Sequence, residues 1–455
     1  MRLLLLFVAI LFAAPVVAEP VRVTVTQDKD GFVGDFTLPS LAPAWGFWRS
    51  STAAANNQSW RAASWRVLTP GVALQRRGQQ DALVSTDGGP VTRKVRVRLT
   101  PFTGDLNGDY VPALDLGGET LAIFDGHFAL YSVDQPDKLD SLPPGFDPAL
   151  VGDPGTAVQF KGRDVHVVGD VEGYRSGKSS GAYGIFGTLP SVRGDGVDTM
   201  IDADLPKWIA DYLSGYTPKI IRAFTSGLGP AGLDHPTILA AWEGTGREGA
   251  SMNGGTLKGL ILMRFEGSQA VTELPALRNM ARWFVAHEAA HFWLGQAVSY
   301  DSPRDSWIME GGADLLAIRA IAGLDPSFDG RILLNDALRD CVRLGAQPVA
   351  TALERNQHRA YYACGAVFAL VAEGMNGNNF FDFTRRIIDA NRADRSVNSA
   401  DWIAALVRIS GKPGLGRTIA TFIDRGSADP AGDLAGLLRE AGIPFTLNER
   451  GVPQL

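Results

Sequence analysis

The stretch Phe284-Val285-Ala286-His287-Glu288-Ala289-Ala290-His291-Phe292-Trp293 decides how this chain is read. His287 and His291 lie four residues apart, so on a helix both imidazoles stand on one face, one turn from each other. Glu288 follows the first histidine directly. The pattern H-E-x-x-H is a helical one in which two histidines hold a zinc ion and the glutamate serves as general base. The flanking residues are apolar, so the helix is expected to run through the interior. Two imidazoles and a carboxylate buried there need a compensating partner, and a divalent metal supplies one.

A third ligand decides whether the pattern is a metal site. Downstream stands Trp307-Ile308-Met309-Glu310-Gly311-Gly312-Ala313-Asp314, with eighteen residues between His291 and Glu310. Two histidines and one glutamate make a three-ligand zinc site whose fourth position is open to water or substrate. Asp314 lies one helical turn beyond Glu310, placed to accept the free N–H of a ligand histidine and fix its tautomer. The competing reading is a hydrogen-bonded histidine pair with Glu310 on an exposed helix; it leaves the three-part spacing unexplained.

This set, with Trp307 before Glu310 and Gly311 after it, resembles the gluzincin peptidases. Its spacing is most similar to the alanyl aminopeptidase and leukotriene-hydrolase family. Glu310-Gly311-Gly312-Ala313-Asp314 is also similar to the neighbouring glycyl aminopeptidase family. The resemblance covers about residues 204–375. It implies a thermolysin-like catalytic domain with one zinc per chain on His287, His291 and Glu310, Glu288 as general base, and peptides as substrates. In that family a tyrosine three residues before a glycine stabilises the tetrahedral intermediate. Tyr362-Ala363-Cys364-Gly365 fits, which makes Tyr362 the expected catalytic hydroxyl and Tyr361 its alternate; the plain reading is an aromatic packed in a helical core. The family also carries a Gly-x-Met-Glu-Asn motif whose backbone and glutamate contact the substrate. Met252-Asn253-Gly254 is similar but lacks the glutamate, so a free substrate amine is read by another group or not at all.

The chain opens Met1-Arg2, followed by the apolar run Leu3–Ala14 and then Pro15-Val16-Val17-Ala18-Glu19. A positive start, a short apolar run and small residues before a polar one make a signal peptide of residues 1–18, removed after Ala18. The mature protein is therefore expected to be exported, periplasmic or extracellular, without stable membrane insertion. The sequence leaves oligomeric state open.

At 455 residues the chain suggests two or three domains. Hydrophobic residues make up 45%, enough for real cores. The net charge of −6 and the lack of any basic block argue against a nucleic-acid partner. The two cysteines, Cys341 and Cys364, either pair or stay as two buried thiols.

Residues 19–200 read as a β-rich domain. Val21-Arg22-Val23-Thr24-Val25-Thr26 and Lys94-Val95-Arg96-Val97-Arg98-Leu99 alternate with period two, as half-buried strands do. The basic residues of the second are a solvated strand face. Residues 201–375 carry the metal motifs, and Thr237–Trp242 is an expected strand. The helix bearing His287 should start near Pro275, bury Leu277, Met280, Trp283 and Phe284, and stop near Gly295. Helical spacing continues at about 329–344, 350–375, 380–391, 399–411, 415–425 and 431–441, making 376–455 a C-terminal helical region. The expected class is α+β: an N-terminal antiparallel β-sandwich, a thermolysin-like zinc domain and a helical C-terminus. The first functional expectation is an exported zinc peptidase, aminopeptidase-like. The alternatives are a zinc endopeptidase, a hydrolase of other substrates on the same site, or a catalytically silent zinc-containing binding protein.

Overall fold

Period-two strands fill the first part of the chain and amphipathic helices the last, as the patterning requires. A computed structural model describes residues 19–143, 146–170, 181–194, 196–232, 236–300 and 302–455. The expected signal peptide and residues 171–180 lie outside the described residues. The chain forms two compact units: residues up to Leu114 with Leu121–Gly187, and Asp115–Thr120 with Thr188–Leu455.

In the first unit, Val21–Asp28 and Lys94–Leu99 bury alternate residues. Five strands follow the order Thr156–Lys161, Val21–Asp28, Gly31–Thr37, Lys94–Leu99, Trp65–Val67. A second sheet runs Leu130–Val133, Ala44–Phe47, Gln80–Ser85, Val72–Arg77. Both contribute to one core, with Val23, Phe36 and Val97 from the first and Trp45, Phe47 and Leu83 from the second. That is the sandwich arrangement of two inner faces. It is antiparallel except where Val21–Asp28 pairs in parallel with Thr156–Lys161. Arg98 meets Asp28 at 2.8 Å and Arg96 meets Asp35 at 3.6 Å along the solvated face.

The second unit is built on a five-stranded sheet. Its strands are β1 (Ser191–Arg193), β2 (Asp198–Ile201), β3 (Thr237–Trp242), β4 (Ser251–Leu257) and β5 (Leu260–Glu266). Their order is β1-β2-β3-β5-β4, which leaves β4 at an edge. The strands β2, β3 and β5 are parallel, whereas β4 returns antiparallel to β5. The helices are α1 (Lys207–Leu228), α2 (Pro275–Ala290), α3 (Ser306–Leu324), α4 (Arg331–Leu344), α5 (Arg359–Met375), α6 (Phe380–Ala390), α7 (Ser399–Ser410), α8 (Pro413–Asp424) and α9 (Pro430–Glu440). Side chains from the sheet and from each of these helices enter one hydrophobic core.

Three local expectations need correction. The segment expected as one helix from 350 starts only at Arg359, because Asn356 turns left-handed at φ 55° and Leu353–Arg355 is a single tight turn before it. Met280 is 37% exposed rather than core, since it stands on the outer side of α2. The helix α2 ends at Ala290 rather than near Gly295; His291 is its C-terminal cap, still in a helical conformation at φ −67°. The two cysteines do pair: a disulfide joins Cys341 of α4 to Cys364 of α5.

Candidate metal centre

The helix α2 begins with Pro275 in its first turn and buries an unbroken run from Phe284 to Ala290. That burial fixes the rotation of the helix, and with it the direction of His287 and Glu288. His291 follows on the cap. Its Nδ1 sits 2.9 Å from the carbonyl of Leu294 in the turn that replaces the next helical turn. Glu310 comes from α3, whose early turns are buried by Trp307, Ile308 and Met309. Trp307 anchors that end: its indole N–H donates to Ser399 Oγ at 3.0 Å, and its ring meets Phe368 and Trp402 edge to face.

His287, His291 and Glu310 bring one donor atom each within 4.8 Å of one another. The two Nε2 atoms are 3.1 Å apart, and Glu310 Oε2 lies 3.4 Å from the first and 3.5 Å from the second. Tetrahedral zinc with bonds of about 2.0–2.1 Å requires donor separations near about 3.3 Å. The triangle therefore fits zinc as it stands. The donor chemistry fits as well. Both Nδ1 atoms face acceptors, Asp314 Oδ1 at 2.9 Å and the Leu294 carbonyl, so each ring carries its proton there. That leaves two imidazole lone pairs and a carboxylate aimed at one point. Glu310 Oε2 is buried and has no hydrogen-bond partner. Three converging acceptors are unfavourable without positive charge between them.

The electrostatics agree. Burial disfavours a charged His287, but its hydrogen bond to Asp314 and the neighbouring carboxylates of Glu310 and Glu288 outweigh it and hold its pKa well above the ordinary value. His291 is raised too, against burial, chiefly by Glu310. Burial would raise Glu310, yet the two histidines pull it well below the usual carboxylate range. The pocket is thus poised for a cation, supplied by protons or by a metal.

Asp314 does more than meet His287: it also accepts the indole N–H of Trp283 at 3.1 Å. Two donors lock the carboxylate, which in turn locks the imidazole. Asp314→Asn should weaken zinc binding by about 10–100-fold, as loss of such a supporting carboxylate does. Competition with a chromophoric chelator measures it, and unchanged affinity would contradict the assigned role.

Tyr362 stands in α5 with its ring stacked on that of His287, centroids 5.6 Å apart. Burial, then the charge and hydrogen bond of Glu310, push its phenol far above the ordinary range, so it stays a donor. Tyr361 points elsewhere: its hydroxyl lies against the Ala350 carbonyl at 3.4 Å and the Leu353 N–H at 3.3 Å. His358 is exposed at the start of α5. A backbone crossing places Tyr362 where it is. A Cβ on Gly311 would lie 2.1 Å from the Gly365 carbonyl carbon, and one on Gly365 would lie 2.2 Å from the Trp307 carbonyl oxygen. Only hydrogen fits at either position, so α3 and α5 touch main chain to main chain. Gly365→Val should cost about 1–3 kcal/mol of stability through overpacking. It should also lower zinc affinity, because α3 carries Glu310. Thermal unfolding with and without zinc checks both effects.

Two contributors were not anticipated from sequence. Thr256 of β4 donates from Oγ1 to Glu288 Oε2 at 3.0 Å. Trp283 holds Asp314. Thr256 carries no signal of its own in the sequence; it shares a strand face with Met252 and Gly254, and only the tertiary placement of β4, paired with β5, brings it to Glu288.

No family model matches the chain, and no curated protein matches it in sequence. Solved structures do match it. The aminopeptidase N family protein from Idiomarina loihiensis is 12% identical with a TM-score of 0.60, over 91% of this chain and 78% of that one. The chain has that protein's fold. A mutant of the M1 zinc metallopeptidase from Deinococcus radiodurans is 15% identical with a TM-score of 0.50, over 90% of this chain and 94% of that one. The shared architecture matches the α+β arrangement expected from the sequence, with a β-rich part, the sheet-and-helix part bearing the metal motifs, and a helical C-terminus.

Proposed function

We propose that this chain is a zinc metallopeptidase on an aminopeptidase-like scaffold, exported from the cell, that hydrolyses peptide bonds. The observation that carries the reading is the donor triangle of His287, His291 and Glu310 with Glu288 beside it. A site built only to bind metal has no use for a glutamate held next to the ligands by its own hydrogen bond, so Glu288 argues for turnover over a silent zinc-binding protein. The Cys341–Cys364 disulfide supports an oxidising compartment and hence export. Among the described residues, no helix is long and apolar enough to cross a membrane.

His287, His291 and Glu310 would hold the metal. Zinc bound there supplies Lewis-acid chemistry, acidifying water and polarising a carbonyl. Asp314 keeps the His287 proton on Nδ1, so Nε2 stays free to ligate. Glu288 takes a proton from water on its carboxylate and returns it to the departing amine nitrogen. Tyr362 donates its hydroxyl proton in a hydrogen bond to the oxygen that gains charge. Thr256 fixes the Glu288 carboxylate in one orientation.

Thr256→Val removes a hydrogen bond to a charged group, worth about 1.5–3 kcal/mol, so kcat should fall about tenfold or more. Thr256→Ser should restore most of it, and KM should change little in either. Steady-state kinetics of the two variants side by side check this; equal losses in both would show that the hydroxyl is irrelevant. The reading as a whole is tested by incubating the zinc-loaded protein with a mixed peptide library and identifying products by mass spectrometry. Intact peptides after long incubation would reject it.

A further inference from the structure

Gln296 lies in the turn that follows His291, and its carboxamide spans the tip of the β4–β5 hairpin. Its Nε2–H group donates to the Leu257 carbonyl at 2.6 Å, and its Oε1 accepts the Gly259 N–H at 3.0 Å. A backbone carbonyl only accepts and a backbone N–H only donates, so these two partners fix which way the amide faces. Gly259 turns left-handed at φ 72°, and its own carbonyl accepts from the N–H of Thr237 on β3. One side chain thus grips both flanks of a two-residue turn.

The backbone that carries Gln296 is itself held. The Gly295 N–H donates to the Val298 carbonyl at 2.7 Å, Ala297 to Phe292 at 3.2 Å and Val298 to Trp293 at 3.2 Å. Phe292, Trp293 and Val298 are buried, so this turn is a rigid extension of α2. The hairpin meets α2 at a second point. Thr256, the residue before Leu257, donates to Glu288 Oε2 at 3.0 Å and lies 3.3 Å from the Glu288 carbonyl. The contacts close a ring: from Glu288 along the chain to Gln296, across to Leu257, back to Thr256 and again to Glu288. The strand β4 is at the sheet edge, bonded to a neighbouring strand on one side only, so its tip depends on such ties more than an inner strand does.

We propose that Gln296 is a positioning residue for the general base: it holds the hairpin tip where the Thr256 hydroxyl orients the Glu288 carboxylate. The proposal rests on the peptidase reading above and deepens it. Gln296 acts through Thr256, so its removal costs no more turnover than loss of the Thr256 hydroxyl. The turn closes on its own backbone bonds, so the Leu294 carbonyl stays on His291 without it.

The test uses two variants of the zinc-loaded protein. Gln296→Met keeps the length of the side chain and removes both hydrogen bonds. Gln296→Glu keeps the acceptor for Gly259 and sets a second acceptor against the Leu257 carbonyl. Both should lower kcat by about tenfold, as loss of two hydrogen bonds implies, with KM and zinc content unchanged. Placed on Thr256→Val, Gln296→Met should cost less than about twofold more, because residues of one network are not additive. Hydrogen exchange at residues 258–260, read by mass spectrometry, should quicken in Gln296→Met; that arm needs no turnover. Wild-type kcat in Gln296→Met, a loss undiminished on Thr256→Val, loss of zinc, or unchanged exchange at the hairpin would each overturn the proposal and leave the peptidase reading standing. Absence of hydrolysis by the zinc-loaded wild-type protein would overturn both.

Discussion

Glu288→Gln should lower kcat by about 10³-fold, within the range of about 10²–10⁴ that a positioned general base contributes, while zinc content stays at one ion per chain. The two effects separate because Glu288 is not one of the three converging donors; its carboxylate is held to the side by Thr256. The amide of glutamine keeps the shape and can still accept from Thr256, but it cannot take a proton at neutral pH. The other carboxylates near the ligands do not replace it. Glu310 belongs to the donor triangle, and Asp314 is bound by both His287 and Trp283. Loss of zinc in the variant would mean that Glu288 has a structural part in the site. Retained activity would mean that some other group moves the proton.

Tyr362→Phe should cost about 2.7–4 kcal/mol in the barrier, or roughly 10²–10³ in kcat, the loss typical of one oxyanion donor. The ring stacks on His287, so phenylalanine preserves the packing and removes only the hydroxyl. KM, zinc affinity and thermal stability should therefore hold. Tyr361→Phe is the control: its hydroxyl contacts the Ala350 carbonyl and the Leu353 N–H, away from the metal ligands. That variant should lose some stability and little kcat. The reverse ranking of the two variants would move the oxyanion role to Tyr361.

The convergence of His287, His291 and Glu310 was legible in the chain because these residues are carried by rigid helices, for which spacing in sequence converts into spacing on a face. His287, Glu288 and His291 follow from a single turn, and Glu310 and Asp314 from one turn of a second helix. Less local features were harder to read. Thr256 meets Glu288 only through the register of β4 on β5, which depends on pairing between distant residues. The glycines at 311 and 365 look like weak points of two helices when taken singly, and only the crossing of those helices shows that each makes room for the other's backbone. The pairing of Cys341 with Cys364 follows from the same helix packing, in which α4 lies beside α5. Where the segment from 350 was expected to be continuous helix, the left-handed Asn356 interrupts it, and apolar periodicity carries no signal for such a break.

The central claim is that three side chains from two helices hold one zinc ion. It is tested most directly by the metal stoichiometry of the purified protein, measured by inductively coupled plasma mass spectrometry beside His291→Ala and Glu310→Ala after exhaustive dialysis. The account predicts one zinc per chain in the native protein and almost none in either variant, with all three folded by circular dichroism. A well-folded native protein that keeps no zinc, or variants that keep as much as the native chain, would contradict it.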